Sequence, residues 1–101
     1  MKHIDTHLLA ITLFAASITP AFAADPPPGR LLASQCFQCH GTNGKSQTKI
    51  DSINDERADD LFKELLEMKA STKITVMNQQ AKVYSDAELR RIADFLGRPA
   101  N

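Results

Sequence analysis

Cysteine is scarce in these 101 residues, with only Cys36 and Cys39, and histidine is hardly commoner, at His3, His7 and His40. That poverty excludes a closed zinc site. Structural zinc wants four ligands, and Cys36, Cys39 and His40 are three with nothing nearby to complete the shell. An excess of charge of either sign is also missing, since 12 basic residues face 12 acidic ones. A balanced chain has no electrostatic case for binding nucleic acid or an anionic membrane surface. Long apolar runs are absent too. The longest, Leu8 to Ile18, falls short of the ~20 residues that span a bilayer. Finally, no segment alternates apolar and polar residues as a strand does, and no internal repeat is visible. An all-α fold in one small domain is what remains.

The N-terminal stretch reads as an address rather than as fold. A modestly basic start at Met1, Lys2 and His3 leads into the apolar run, which Pro20 breaks, and Ala21-Phe22-Ala23 places small residues where a signal peptidase reads them. Residues 1–23 are therefore expected to be a cleaved secretory signal, with export to a bacterial periplasm and no stable membrane insertion. His3 and His7 leave with that segment, which makes His40 the only histidine of the mature chain. So small a mature domain is a thin basis for a hydrophobic core and is expected to need a staple.

What is present answers both points. Cys36-Phe37-Gln38-Cys39-His40 puts two thiols three positions apart with a histidine directly behind them. This is the attachment pattern of c-type haem. Each thiol adds across one porphyrin vinyl group, and one helical turn spans the two. The next residue, His40, is then carried under the iron as the proximal ligand. A thioredoxin-like redox pair would need a βαβ surrounding that is not found here, and a plain disulfide would leave His40 unexplained. A single covalent haem c would also be the staple, and the haem-free polypeptide is expected to be mostly unfolded.

Along the mature chain, residues 24–28 form a proline-rich lead-in. A helix is expected over Arg30 to Cys39, with Leu31, Leu32 and Cys36 at near-helical spacing. Gly41 to Ile53 reads as loop, with Ile50 and Ile53 more in the way of loop plugs than of porphyrin contacts. Asp59 or Asp60 caps a second helix running to about Lys69, on which Leu61, Leu65 and Met68 make a core stripe widened by Phe62 and Leu66. Ala70 to Val83 reads as irregular and turn-like, with Asn78 as a turn residue. The last helix has the clearest signals. Ser85 and Glu88 make a capping box, Tyr84 and Leu89 a hydrophobic staple, and Leu89, Ile92, Ala93 and Leu96 one apolar face with Phe95 beside it. Gly97 ends that helix and Pro99 prevents its resumption. Three main helices within residues 29–97, followed by a tail at 98–101, are expected around the haem.

The second axial position has three candidates: Met77, Met68 and Lys73. Met68 sits on a helical stripe where core packing explains it, and Lys73 would have to lose its proton. Met77, in the irregular segment, is the preferred distal ligand. A thioether suits ferrous iron and raises the reduction potential.

With these residues assembled, the chain resembles the class I cytochromes c over about Gly29 to Leu96. More narrowly, it resembles the small haem domains of the cytochrome subunit of flavocytochrome c sulfide dehydrogenase and related periplasmic monohaem cytochromes. The narrower likeness rests on Cys39-His40-Gly41-Thr42 with Gly44 and Ser46, on Ser71-Thr72 leading to Met77, and on Lys82 through Leu89. The resemblance implies terminal helices crossing beside the haem. It also implies thioethers at Cys36 and Cys39, iron ligands at His40 and Met77, and one haem edge exposed for docking. Two departures stand out. No proline lies in Gln47 to Ile53, so some other carbonyl must accept the imidazole N–H. Leu32 stands where many relatives have an aromatic, which shrinks its contact with Phe95.

The expected function is single-electron transfer without catalysis. The chain would act as a free shuttle, or as the haem subunit of a larger oxidoreductase with a redox protein such as a flavoprotein, in a sulfur-oxidising setting. The alternative is a haem module with an open or displaceable sixth site for gas binding or catalysis. Lys45, Lys49, Lys73 and Lys82 read as solvated charges rather than a docking surface.

Overall fold

A computed structural model describes residues 28–99, together with residues 16, 17 and 20 upstream. Most of the expected leader, the lead-in as far as Pro27, and the last two residues of the tail lie outside the described residues.

Four α-helices and one 3₁₀ turn make up the fold: α1 at Gly29–His40, the turn at Thr42–Gly44, α2 at Ala58–Ala70, α3 at Val76–Lys82 and α4 at Asp86–Leu96. Among the described residues there is no sheet, only an isolated parallel bridge between Arg57 and Arg98. The all-α expectation is met, with one helix more than the three foreseen.

Close approach organises the terminal helices. A Cβ on Gly29 would collide with the Arg91 carbonyl oxygen and lie 3.0 Å from Phe95 Cβ, so glycine is what lets α1 cross α4 there. Ala33, one turn on, is fully buried, as is Ala93 on α4. The shortfall foreseen at Leu32 is met from another position. Phe37 brings its ring to 6.3 Å from that of Phe95, tilted by 39°. Offset and tilted aromatic pairs at this separation are favourable beyond their buried area. The core itself is Ala33, Leu61, Leu65, Leu89, Ile92, Ala93 and Leu96, with Leu89 and Ile92 the largest side chains wholly removed from solvent.

The capping of α4 is as expected. Ser85 Oγ accepts from Glu88 N at 3.1 Å, and Tyr84 packs onto the core cluster that includes Leu89 while its hydroxyl donates to the Leu32 carbonyl at 3.3 Å.

The start of α2 corrects the reading of Asp59 and Asp60 as caps. The helix begins at Ala58 with no side-chain cap, because the Arg98 carbonyl accepts from Ala58 N at 2.8 Å. The chain leaving α4 thus satisfies the first free backbone donor of α2, and the helix starts one residue before either aspartate. Asp59 and Asp60 fall in the first turn, where negative charge favours the helix dipole. Asp59 instead accepts from Arg90 at 3.0 Å, and that guanidinium also pairs with Asp94 and lies 4.8 Å from the centre of the Phe62 ring.

A second correction concerns Ala70 to Val83. Its second half is helical, because Thr75 Oγ1 accepts from Asn78 N at 3.1 Å and starts α3. Asn78 is not a turn residue but the one buried polar side chain among the described residues. Its amide donates to Ser71 Oγ at 3.1 Å and to the Lys73 carbonyl at 3.0 Å, tying the incoming linker to the helix. Lys82 adds a second tie, its ammonium donating to the carbonyls of Lys69 at 2.6 Å and Ser71 at 2.7 Å. Those carbonyls close α2, where a cation is favoured.

Candidate haem site

The helical turn that ends α1 presents Cys36, Cys39 and His40 to a cavity of about 620 Å³. The rest of the wall comes from the loop after α1 (Ile50, Ile53), from α2 (Leu61, Leu65, Met68) and from α3 and α4 (Met77, Leu89, Ile92). Ile50 and Ile53 therefore line the cavity, although loop plugging was the expectation. The volume lies within the range of sites that enclose a cofactor-sized ligand, and the wall is mostly apolar.

The two cysteines are free thiols, Cys36 half-buried and Cys39 exposed, so the plain disulfide is not formed. Burial pushes the Cys36 thiol up from its ordinary pKa, and a hydrogen bond within its own residue only partly offsets this. The Tyr84 hydroxyl is also raised, first by burial and then by the neighbouring Cys36 and Glu88.

His40 closes α1, and the backbone reverses directly behind it. Gly41 has φ 85°, a left-handed value that an L side chain resists, and Asn43 and Gly44 follow at φ 56° and 80°. The loop then folds on itself. Ile53 N donates to the Gly44 carbonyl at 2.9 Å, Ser46 N to Ser52 Oγ at 2.9 Å, and Thr48 N to Ser46 Oγ at 3.1 Å. The outcome is an Asp51 carbonyl 2.7 Å from His40 Nδ1. A carbonyl only accepts, so Nδ1 carries the proton and Nε2 keeps its lone pair for a metal. The missing loop proline is thus replaced by Asp51, the substitute carbonyl that the sequence required but did not locate.

Both methionine candidates line the cavity, Met68 from the last turns of α2 and Met77 from the first turn of α3, and both are half-buried. Met77 is not in an irregular segment, so the contrast of helix against loop that separated the two does not hold. Lys73 is not on the wall. The four lysines read as surface charges, Lys45, Lys49, Lys73 and Lys82, are all exposed, and the Lys82 ammonium is in addition engaged with the two carbonyls that close α2.

One wall residue drew no attention in the sequence. Glu56, in the loop before α2, lines this cavity and also an outer, charged cleft with Arg57, Asp60, Lys63, Glu64, Glu67 and Arg98. Its Oε2 is sealed from solvent and has no hydrogen-bond partner. Burial raises the Glu56 carboxyl above its ordinary pKa, and so do Glu64, Asp55 and Asp60. A lone glutamate in a loop gives no sequence signal of this kind.

The residues fit a covalently held haem. Two free thiols one helical turn apart, an imidazole with its outer nitrogen fixed, an apolar cavity and a thioether in its wall are a donor set suited to porphyrin iron. Among the described residues no three of His, Cys, Asp and Glu gather as a metal-holding group. Nor is any described helix long and apolar enough to cross a membrane.

Comparison with known proteins points to the same kind of protein. The family described as "Cytochrome C oxidase, cbb3-type, subunit III" matches residues 23–96. Cytochrome c-553 of Nitratidesulfovibrio vulgaris (strain DSM 19637 / Miyazaki F) is 31% identical over 97% of this chain and 99% of its own length. The cytochrome subunit of sulfide dehydrogenase of Chlorobaculum tepidum (strain ATCC 49652 / DSM 12025 / NBRC 103806 / TLS) is 34% identical over 68% of this chain. That alignment spans 64% of the subunit's own length.

Proposed function

This chain belongs to the c-type cytochromes, and from that membership we propose that it is a periplasmic monohaem carrier of single electrons. It would work as a free shuttle or as the haem subunit of a larger oxidoreductase, a sulfur-oxidising one included. The observation that carries the reading is the turn at Cys36, Cys39 and His40, with the imidazole held by the Asp51 carbonyl at the mouth of an apolar cavity.

Haem bound here supplies a reversible one-electron change at iron. The chain's own residues do the rest. Cys36 and Cys39 would anchor the ring covalently, and His40 would offer Nε2 while the Asp51 carbonyl holds its other nitrogen. Met77 would be the second side chain to hold the iron. Its thioether and its place on the cavity wall it shares with Met68, and what favours it is the resemblance of Ser71-Thr72 leading to Met77 to the class I cytochromes. Leu61, Leu65, Leu89 and Ile92 exclude water, which favours the less charged iron state and strengthens the influence of every nearby charge. With His40 and Met77 both engaged, the bound haem would have no seat for substrate, and its role would be transfer rather than catalysis. A flavoprotein partner is proposed from the kinship with the sulfide dehydrogenase subunit, and export from residues 1–23.

The test is mass spectrometry and an optical spectrum of the exported chain. One added haem mass, a new N-terminus at Ala24 and a low-spin spectrum with a weak far-red band from sulfur on ferric iron are expected. No added haem mass overturns the proposal. High-spin ferric haem, or immediate carbon monoxide binding by the reduced form, would replace the shuttle with a module that binds gas. Co-purification with a flavoprotein would favour the subunit over the free carrier.

A further inference from the structure

Glu56 poses a question the electron-carrier reading does not answer. A carboxyl oxygen sealed from water without a partner is costly, yet Oε2 is in that position on a residue that lines the mostly apolar cavity. The other side of the same residue opens on the charged cleft, so a proton has a short route from solvent. Acidic groups gather round it. Asp55 precedes it in the loop, and Glu64 and Asp60 face it from α2, with Glu64 also on both walls. The cations of the cleft are Arg57, Lys63 and Arg98. The Arg98 guanidinium is taken up by the Asp55 carbonyl at 2.8 Å, and Arg98 N holds the Glu56 carbonyl at 2.7 Å, which pins the backbone but leaves the carboxyl without a counter-charge.

We propose that the Glu56 carboxyl is a proton-binding site coupled to the haem, taking up one proton from solvent when the iron is reduced and releasing it when the iron is oxidised. The inference rests on the haem reading above. The balance is simple. One electron arrives from the reduced donor protein, iron goes from the ferric to the ferrous state, and the Glu56 carboxylate becomes a carboxylic acid. Ferric iron carries one more positive charge, which favours the carboxylate, and in a cavity of low dielectric that preference is felt across the wall. Burial comes first and Glu64, by its charge and by a side-chain hydrogen bond, second in pushing the Glu56 pKa up, which moves the coupling toward higher pH.

The experiment is spectroelectrochemical titration of the haem-loaded full chain from acid to alkaline pH, with infrared difference spectra of the two oxidation states. In the wild type the midpoint potential falls with rising pH between two plateaus. Each tenfold difference in proton affinity between the oxidation states lowers it by about 59 mV. A protonated-carboxyl band rises on reduction. Glu56→Gln abolishes the step and that band, while Glu64→Gln keeps the step and moves it to lower pH. Should Glu56→Gln fail to fold, the Glu64→Gln displacement decides. A flat wild-type potential overturns the proposal but leaves the electron carrier standing, and so does an unchanged step in Glu56→Gln, which would belong to the haem's own carboxylates. Absence of any reversible one-electron wave overturns both.

Discussion

The crossing of α1 and α4 permits a prediction whose sign, not only its size, is at stake. Gly29→Ala sits at the first position of a helix, where alanine is intrinsically better than glycine by ~0.5–1 kcal/mol. Without a clash the substitution would stabilise. The added Cβ, however, lands on the Arg91 carbonyl oxygen and 3.0 Å from Phe95 Cβ. The first of these is backbone and cannot swing aside, so α1 must retreat from α4 along the contact where Ala33 and Ala93 are fully buried. Overpacking of that kind costs roughly 1–3 kcal/mol, which exceeds the propensity gain over most of its range. In a domain of this size about 1 kcal/mol displaces the melting midpoint by roughly 4–8 °C. Thermal unfolding of the ferric, haem-loaded protein followed by circular dichroism is thus expected to show Gly29→Ala melting several degrees below wild type, with its spectrum intact. A variant that melts at or above the wild-type temperature would refute close approach as the reason for glycine here.

Met77→Ala should abolish the far-red band of the oxidised spectrum and lower the reduction potential, whereas Met68→Leu should keep the band. The reverse pattern in absorbance spectra would assign the ligand to α2. Asn78→Ala leaves Ser71 Oγ and the Lys73 carbonyl without their amide and should cost about 1–3 kcal/mol, read as a lower guanidinium midpoint. Glu56→Gln should be more stable than wild type at neutral pH. The folded-state pKa of Glu56 is raised, so the wild type loses stability as pH rises through that value. The difference vanishes below the unfolded carboxyl pKa of ~4.3, which denaturant curves at several pH values can check. Removal of the haem should leave the far-ultraviolet circular dichroism mostly that of an unfolded chain.

The elements that could be read in advance were those with their determinants close together in sequence. Ser85, Glu88 and Leu89 specify the start of α4 within five residues, and Cys36, Cys39 and His40 specify the attachment turn within five. Helix α3 escaped because it has only seven residues, and its apolar members do not share one buried face: Val76 is 75% exposed and Ile74, just before it, 88%. Thr75 was the one available signal, as a residue able to cap. The start of α2 was misread because the donor was taken by Arg98, forty residues on, which no local rule foresees. The same holds for His40, whose partner is a backbone carbonyl and could have been supplied by any residue of the loop. Glu56 became visible only when two walls converged on one side chain.

The two carbonyls gripped by Lys82 bear on how this surface should be mapped. Acylating reagents are a common way to ask which amines guide a redox partner. Applied here, modification of Lys45 or Lys49 would report on encounter, but at Lys82 it would detach the strut that fixes Lys69 and Ser71. A slowed reaction after labelling Lys82 would then signify a displaced methionine arm rather than a lost attraction.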